Sequence, residues 1–324
     1  MKRTTFSFAK AALATAAFSV AGVASAADIF VVGGKPDDPF WSIVKKGAED
    51  AGKLAEAQGG SVTWLGPQNY DNLGVDAAEL IRQAISQGAD AIVGPNWVPE
   101  AMDPAFKAVV DAGIPLVIYN AGGIDAADRL GAMNYVGSDD YKGGLAAGKY
   151  FAANGYNNLV CINTLPGAAN IEAHCKGMTE SVTEAGGKGE TLPLPATSFG
   201  NATAVTQAIK AYLLRNPKVN GVYTIGNGDA NSAINGVLQA GKSGRVMVGG
   251  VNMDETILNN IKDGKQLFAI DQQGYHQGFL SVNILNAYVN YGLTVPTREV
   301  LTGPGIVDSS NVDATLEGVK AGVR

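Results

Sequence analysis

Short runs of consecutive apolar residues alternate along the chain with stretches whose apolar positions recur every three or four residues. The runs are Ile29–Val32, Val62–Leu65, Ala91–Val93, Leu116–Tyr119, Tyr135–Val136, Leu159–Ile162, Val222–Ile225, Val246–Val248 and Leu267–Ile270. They are short, β-branched and bounded by Gly, Asn or Asp, which predicts strands. Between them, Ile43, Val44, Ala48, Ala51, Leu54 and Ala55 fall at helical spacing, as do Val75, Ala78, Leu80, Ile81, Ala84 and Ile85. Strands apolar on consecutive positions are buried on both faces, as in parallel sheets. The alternation therefore predicts a doubly wound α/β architecture.

The first strand ends in Gly33-Gly34, and a polar loop leads into Asp38-Pro39-Phe40-Trp41. Asp38 is suited to cap a helix, and Pro39 to occupy its first position, where no backbone donor is needed. Phe40 and Trp41 then sit in a first helical turn beside the carboxyl end of a strand, where open α/β sheets bind ligands. A weak internal repeat lies over this grammar. Gly88-Ala-Asp-Ala-Ile-Val-Gly94, a helix, and Asp111-Ala-Gly-Ile-Pro-Leu-Val-Ile-Tyr-Asn120 make one copy. Asn220-Gly-Val-Tyr-Thr-Ile-Gly-Asn227, a helix, Gln239-Ala-Gly241 and Val246-Met-Val-Gly-Gly-Val-Asn252 make the other. Each copy ends on Asn, as two similar lobes would. The first lobe is expected to run to about Gly137, and Ser138-Asp139-Asp140 to cap the next helix.

The first 26 residues are set apart by a basic start at Lys2, Arg3 and Lys10, an apolar stretch from Ala11 to Val23, and Ala24-Ser25-Ala26. This is a cleaved secretory signal peptide, too short in its apolar part for a membrane anchor. Removing it takes three positive charges away, so the formal charge moves from −6 to −9. An acidic exported chain is a poor partner for nucleic acid or anionic membrane. The 298 residues left after removing 26 from 324 suffice for two domains. Cys161 falls in a predicted strand and Cys175 in the helix after it. In an oxidising compartment these adjacent elements can carry a disulfide, or two buried thiols acting as small apolar residues.

Catalytic and metal patterns are missing. The two histidines, His174 and His276, belong to no HExxH motif, and there is no CxxC, nucleophile elbow or phosphate loop. After Gly33-Gly34 comes Lys35-Pro36-Asp37-Asp38, which puts acid where a pyrophosphate would sit. No cofactor is expected. The strand ends carry neutral amides instead: Asn120, Asn227, Asn252 and Gln272. Each amide donates and accepts, which suits hydroxyls. Aromatics able to lie on an apolar ring face complete what reads as a sugar or polyol clamp.

The leader, Asp37-Asp-Pro-Phe-Trp41, Gln87-Gly-Ala-Asp-Ala-Ile92, Ala112-Gly-Ile-Pro-Leu-Val117 and Ala240-Gly-Lys242, in this order, carry a resemblance. The mature chain is similar, over nearly all its length, to the ribose-binding type of periplasmic sugar-binding proteins of ABC transporters. The resemblance implies two α/β lobes joined by three crossover strands, with sugar held between them by hinge closure. It implies lobes of residues 27–137 plus 273–302 and of residues 138–272 plus 303–324. It implies a clamp of Asp38, Phe40, Trp41 and Asn120 on the first lobe. His174, Phe199, Asn227, Asp229 and Asn252 face them from the second, with Gln272 at a crossover. Trp97, after the third strand, is a further candidate wall. The family's Asp-Arg pair is here Asn120-Ala121, and its second-lobe Arg is His174. A lost Arg removes a rigid donor fork. The implied ligand is thus hydroxyl-rich and neutral but not ribose: another pentose, a deoxy or branched sugar, or a sugar alcohol. The expected partner is a membrane permease, and the expected state a periplasmic monomer. A chemoreceptor role coexists with transport and leaves no mark in sequence. The rival from another class is an exported carbohydrate-active enzyme, which needs two carboxylates across a glycosidic bond. Asp38, Asp229 and Asp271 are available to it, with no pair distinguished.

Overall fold

The computed structural model describes residues 26–324. The leader expected over residues 1–26 lies outside them, apart from Ala26. The first half builds β1 (Asp28–Val32), α1 (Pro39–Ala57), β2 (Ser61–Leu65), α2 (Leu73–Ser86), β3 (Ala91–Gly94), α3 (Pro99–Asp111), β4 (Leu116–Tyr119), α4 (Gly123–Leu130) and β5 (Asn134–Ser138). Then follow α5 (Asp140–Ala153), β6 (Asn158–Asn163), α6 (Ala169–Glu184), β7 (Lys188–Pro193), α7 (Ala202–Arg215), β8 (Gly221–Ile225), α8 (Asn227–Gln239), β9 (Met247–Val251), α9 (Glu255–Lys262) and β10 (Gln266–Asp271). The chain ends with α10 (Gly274–Tyr291), β11 (Glu299–Gly303), β12 (Gly305–Val307) and α11 (Val312–Lys320).

Two sheets of six strands result, ordered β2-β1-β3-β4-β5-β11 and β7-β6-β8-β9-β10-β12. The orders are the same, strand for strand, so each lobe is a copy of the other's winding. Pairing is parallel within each sheet except that β12 runs antiparallel to β10. β1, β3, β4 and β5 have fully or almost fully buried residues, as apolar strands covered on both faces must. The chain crosses between sheets three times: after β5, after β10, and between β11 and β12. The second crossing sends α10 back to pack on α1 beneath β3, β4 and β5.

The repeat seen in the sequence has a backbone counterpart. Asn120 and Asn252 both hold left-handed backbone, with φ of 60° and 69°. Each donates its N–H to the next strand, Asn120 to Val136 O and Asn252 to Ile270 O. Asn tolerates this region better than other residues with a Cβ, so the two lobes turn out of β4 and β9 alike. Each turn aims an amide at the gap between the lobes.

Three strands lie beyond the runs predicted from sequence. β7 reads Lys188-Gly-Glu-Thr-Leu-Pro193 and is largely exposed at a sheet edge, so it needs no apolar run. β11 and β12 are edge strands as well, flanking the cis bond between Gly303 and Pro304. Cys161 in β6 and Cys175 in α6 are joined by a disulfide, with Cα atoms 5.5 Å apart. It ties α6 to its own sheet. No helix among the described residues is long and apolar enough to cross a membrane.

Candidate functional site

The carboxyl ends of both sheets face each other across one cavity of about 220 Å³. Asp38, Phe40, Trp41, Trp97 and Asn120 line it from the first lobe. Phe199, Asn227, Asp229 and Asn252 line it from the second, and Gln272 from the second crossing. Ten of the eleven residues singled out in the sequence are thus brought together.

Asp38 caps α1: its Oδ1 accepts the N–H groups of Phe40 at 3.0 Å and Trp41 at 3.2 Å. Burial pushes its carboxyl above the ordinary value, and those two N–H bonds partly oppose the shift. The cap fixes the first helical turn, and the turn sends its two aromatics to different places. Trp41 is only 7 % exposed and meets Trp97 edge-on, centroids 5.3 Å apart. Phe40 stays half-buried, edge-on to Trp41 at 5.2 Å. Gly33 and Gly34 have a packing role here. A Cβ on Gly34 would run into the Trp41 indole, and one on Gly33 into Trp64.

The amides are oriented by a relay. Gln277 of α10 is fully buried. Its Nε2 donates to Gln272 O at 3.1 Å, so its Oε1 is left to accept from Asn120 Nδ2 at 3.0 Å. Gln272 Nε2 in turn donates to Asn252 Oδ1 at 2.8 Å. One N–H of Asn120 and one of Gln272 are therefore used inside the protein. Asn120 Oδ1 and Gln272 Oε1 are buried with no protein partner, and so is Asn170 Oδ1 in the first turn of α6. A buried acceptor left unmatched costs about 1–3 kcal/mol. The wall is built to receive O–H or N–H donors.

Asp229, in the first turn of α8, accepts from Thr164 Oγ1 at 2.9 Å. Burial pushes its carboxyl up to about 7, the Thr164 bond opposes this, and Asp38 on the other lobe adds to it. Among the described residues, no Lys, Arg or His lines the cavity. Asp271 is engaged elsewhere: its Oδ1 accepts the Gln273 N–H and its Oδ2 pairs with Arg324 Nε at 2.8 Å.

His174 is the exception, and the expectation that it reaches into the cleft is corrected. It is 1 % exposed and lies in the second turn of α6, on the side packed against α5. A Cβ on Gly143 would touch its imidazole ring. Its Nδ1 pairs with Tyr223 Oη at 3.0 Å and its Nε2 lies 3.3 Å from Asp140 Oδ1. Burial raises the Asp140 carboxyl, and the imidazole opposes that shift. α6 lines the cavity nearer its start, with Asn170, one helical turn before His174, and Ile171. Asn170, Tyr70 and Gln277 escaped the sequence reading. Asn170 sits four residues before His174, so helical spacing alone connects them. Tyr70 stands on a loop with no periodicity, and Gln277 is buried inside α10.

Two wound lobes with a polar, aromatic-walled cavity between them define a hinged solute-binding protein. Residues 29–293 match the family model described as periplasmic binding protein domain. The chain belongs to this family, the type I periplasmic binding proteins. It is 28% identical over 327 residues to the xylose/arabinose-binding protein XylF of Sulfolobus acidocaldarius, covering 92% of this chain and 78% of that one. It is 24% identical over 280 residues to the xylitol-binding protein of Mycolicibacterium smegmatis, covering 86% and 77%. A solved carbohydrate transporter from Acidothermus cellulolyticus 11B, in complex with myo-inositol, superposes with a TM-score of 0.82 at 30% identity. That match covers 92% of this chain and 99% of the other.

His174→Ala leaves Tyr223 and Asp140 without their buried partner. It is expected to lower stability by about 2–4 kcal/mol in urea unfolding, with ligand affinity changed less than about threefold. Lost affinity at unchanged stability would put the imidazole back in the site.

Proposed function

We propose that the interlobe cavity binds one neutral polyhydroxylated molecule, and that the closed, loaded protein delivers it to a membrane permease of an ABC importer. The observation that carries this reading is the cavity wall. It presents buried carbonyl acceptors, two carboxyls and flat aromatic faces, with no cation. Acceptors without partners call for hydroxyl donors. Aromatic faces cover the apolar C–H side of a ring or chain. Two buried carboxyls, and no cation among the described lining residues, leave nothing to offset the charge of a sugar acid or sugar phosphate.

The same wall favours one kind of hydroxyl compound. A cyclitol or sugar alcohol offers a donor at every oxygen, whereas an aldose ring oxygen only accepts. The myo-inositol held by the related transporter and the xylitol in a relative's name fit this reading. Binding without turnover fits the sugar-binding names of the relatives. Export by the leader and action in the periplasm belong to the same proposal. Closure follows because a ligand that touches both lobes favours the state in which they meet.

Calorimetric titration with myo-inositol, xylitol, D-xylose, D-ribose and D-glucuronate tests the reading. At least one neutral compound is expected to bind, myo-inositol or xylitol more tightly than the aldoses, and D-glucuronate not at all. Trp41→Ala and Asn252→Ala should each weaken the best ligand by tenfold or more. Binding confined to the acid, or wild-type affinity in both variants, would refute it.

Asp229 gives a sign for the pH dependence. In an open, hydrated cleft its carboxyl returns toward the ordinary value near 3.8, and in the closed form it stands at about 7. Closure therefore takes up a proton between about pH 4 and 7. Affinity is expected to fall as pH rises through that window, by up to about tenfold per unit, and to level off above it. Asp229→Asn should flatten the profile across a pH series. An unchanged slope in that variant would show the proton to be bound elsewhere.

A further inference from the structure

Tyr70 stands on the loop between β2 and α2, away from the strand-end residues that form the rest of the wall. Its ring meets Phe199 of the other lobe edge to face, with centroids 4.9 Å apart, and both rings line the cavity. Its hydroxyl accepts the Lys35 N–H at 3.0 Å and donates to Asp38 Oδ2 at 3.4 Å. Burial and the nearby Asp38 carboxyl hold the phenol well above its ordinary pKa, so it keeps its proton and remains a donor. Tyr70 is thus fixed to the first lobe at one end and meets the second at the other. Close by, the Ala169 N–H at the start of α6 donates to Trp97 O at 2.8 Å, a backbone bond between the lobes.

We propose that Tyr70 and Phe199 form an aromatic latch that holds the lobes shut over the ligand, with the Tyr70 hydroxyl positioning both the latch ring and the Asp38 carboxyl. This rests on the cavity being the ligand site. The pair sits on loops of both lobes, so hinge opening separates it. Edge-to-face pairs gain stability beyond the area they bury. That gain exists only in the closed state, so it slows ligand escape more than entry. The phenol also explains why Asp38 is not free to turn toward solvent. One oxygen is held by the helix N-terminus and the other by Tyr70.

Stopped-flow tryptophan fluorescence with myo-inositol tests the latch. Tyr70→Ala is expected to raise the dissociation rate about tenfold and to change the association rate less than about threefold. Tyr70→Phe keeps the ring but loses the hydrogen bonds that position it, so its dissociation rate should rise, by less than in Tyr70→Ala. Phe199→Ala should match Tyr70→Ala, and the double variant should be no worse than either, because both remove one contact. Wild-type dissociation in Tyr70→Ala, or single effects that simply add, would overturn the latch. If myo-inositol does not bind wild type, that counts against the cyclitol reading and not against the latch. Interlobe fluorescence transfer, with one dye on each lobe of the ligand-free protein, then decides. Tyr70→Ala should lower the closed fraction, and an unchanged fraction would overturn the proposal.

Discussion

The site depends on the buried amide of Gln277. Its two N–H groups face the crossing strands, at Gln272 O and Thr302 Oγ1, and its oxygen faces Asn120. A fully buried amide has no water to turn toward, so its neighbours fix which end points where. That choice passes to Asn120, and a parallel choice is made where Gln272 donates to Asn252. Asn120 and Gln272 are left with unpaired carbonyl oxygens, while Asn252, whose oxygen accepts from Gln272, keeps its N–H groups free of that bond. The acceptor that Asn120 turns to the cavity follows from the one orientation of Gln277. Because the relay runs through two of the three crossings, the hinge and the recognition surface share the same hydrogen bonds.

Symmetry supplies the rest. Two copies of one winding place Asn120 and Asn252 at matching turns, both in left-handed backbone. A carboxyl stands on each side as well, Asp38 in the cap of α1 and Asp229 in the first turn of α8, at positions that the two windings do not match to each other. The cavity that holds these groups takes its walls from both lobes. Closing removes both carboxyls from water with no cation to meet them, which is unfavourable until hydroxyls or a proton take that role. In the proposed function, ligand binding and closure are coupled through this desolvation. The aromatic contact between Tyr70 and Phe199 joins the two lobes beside this cavity.

Much of this was legible in the order of residues. Apolar runs marked nine of the twelve strands, because central parallel strands must be apolar on both faces. The strands without a run, β7, β11 and β12, are edges, and edges carry no such requirement. Asp38, Phe40 and Trp41 could be placed because a cap and a proline fix the helix start. Asn120 and Asn252 could be placed because the repeat ended on each. His174 was misplaced by one helical turn. A local match shows which helix reaches the cleft, but not which turn of it, and burial against Gly143 decided that. Gln277 and Tyr70 had no local signature, since their roles arise from partners 157 and 32 residues away.

The central claim is that one uncharged ligand touches both lobes and thereby closes them. Small-angle X-ray scattering tests it most directly, on the protein titrated with myo-inositol or xylitol, with calorimetry on the same samples to establish saturation. The account expects the radius of gyration to fall with saturation and to stop falling at one equivalent bound. Full saturation with no change in the radius of gyration would mean that the ligand sits on one lobe alone, and would contradict the account.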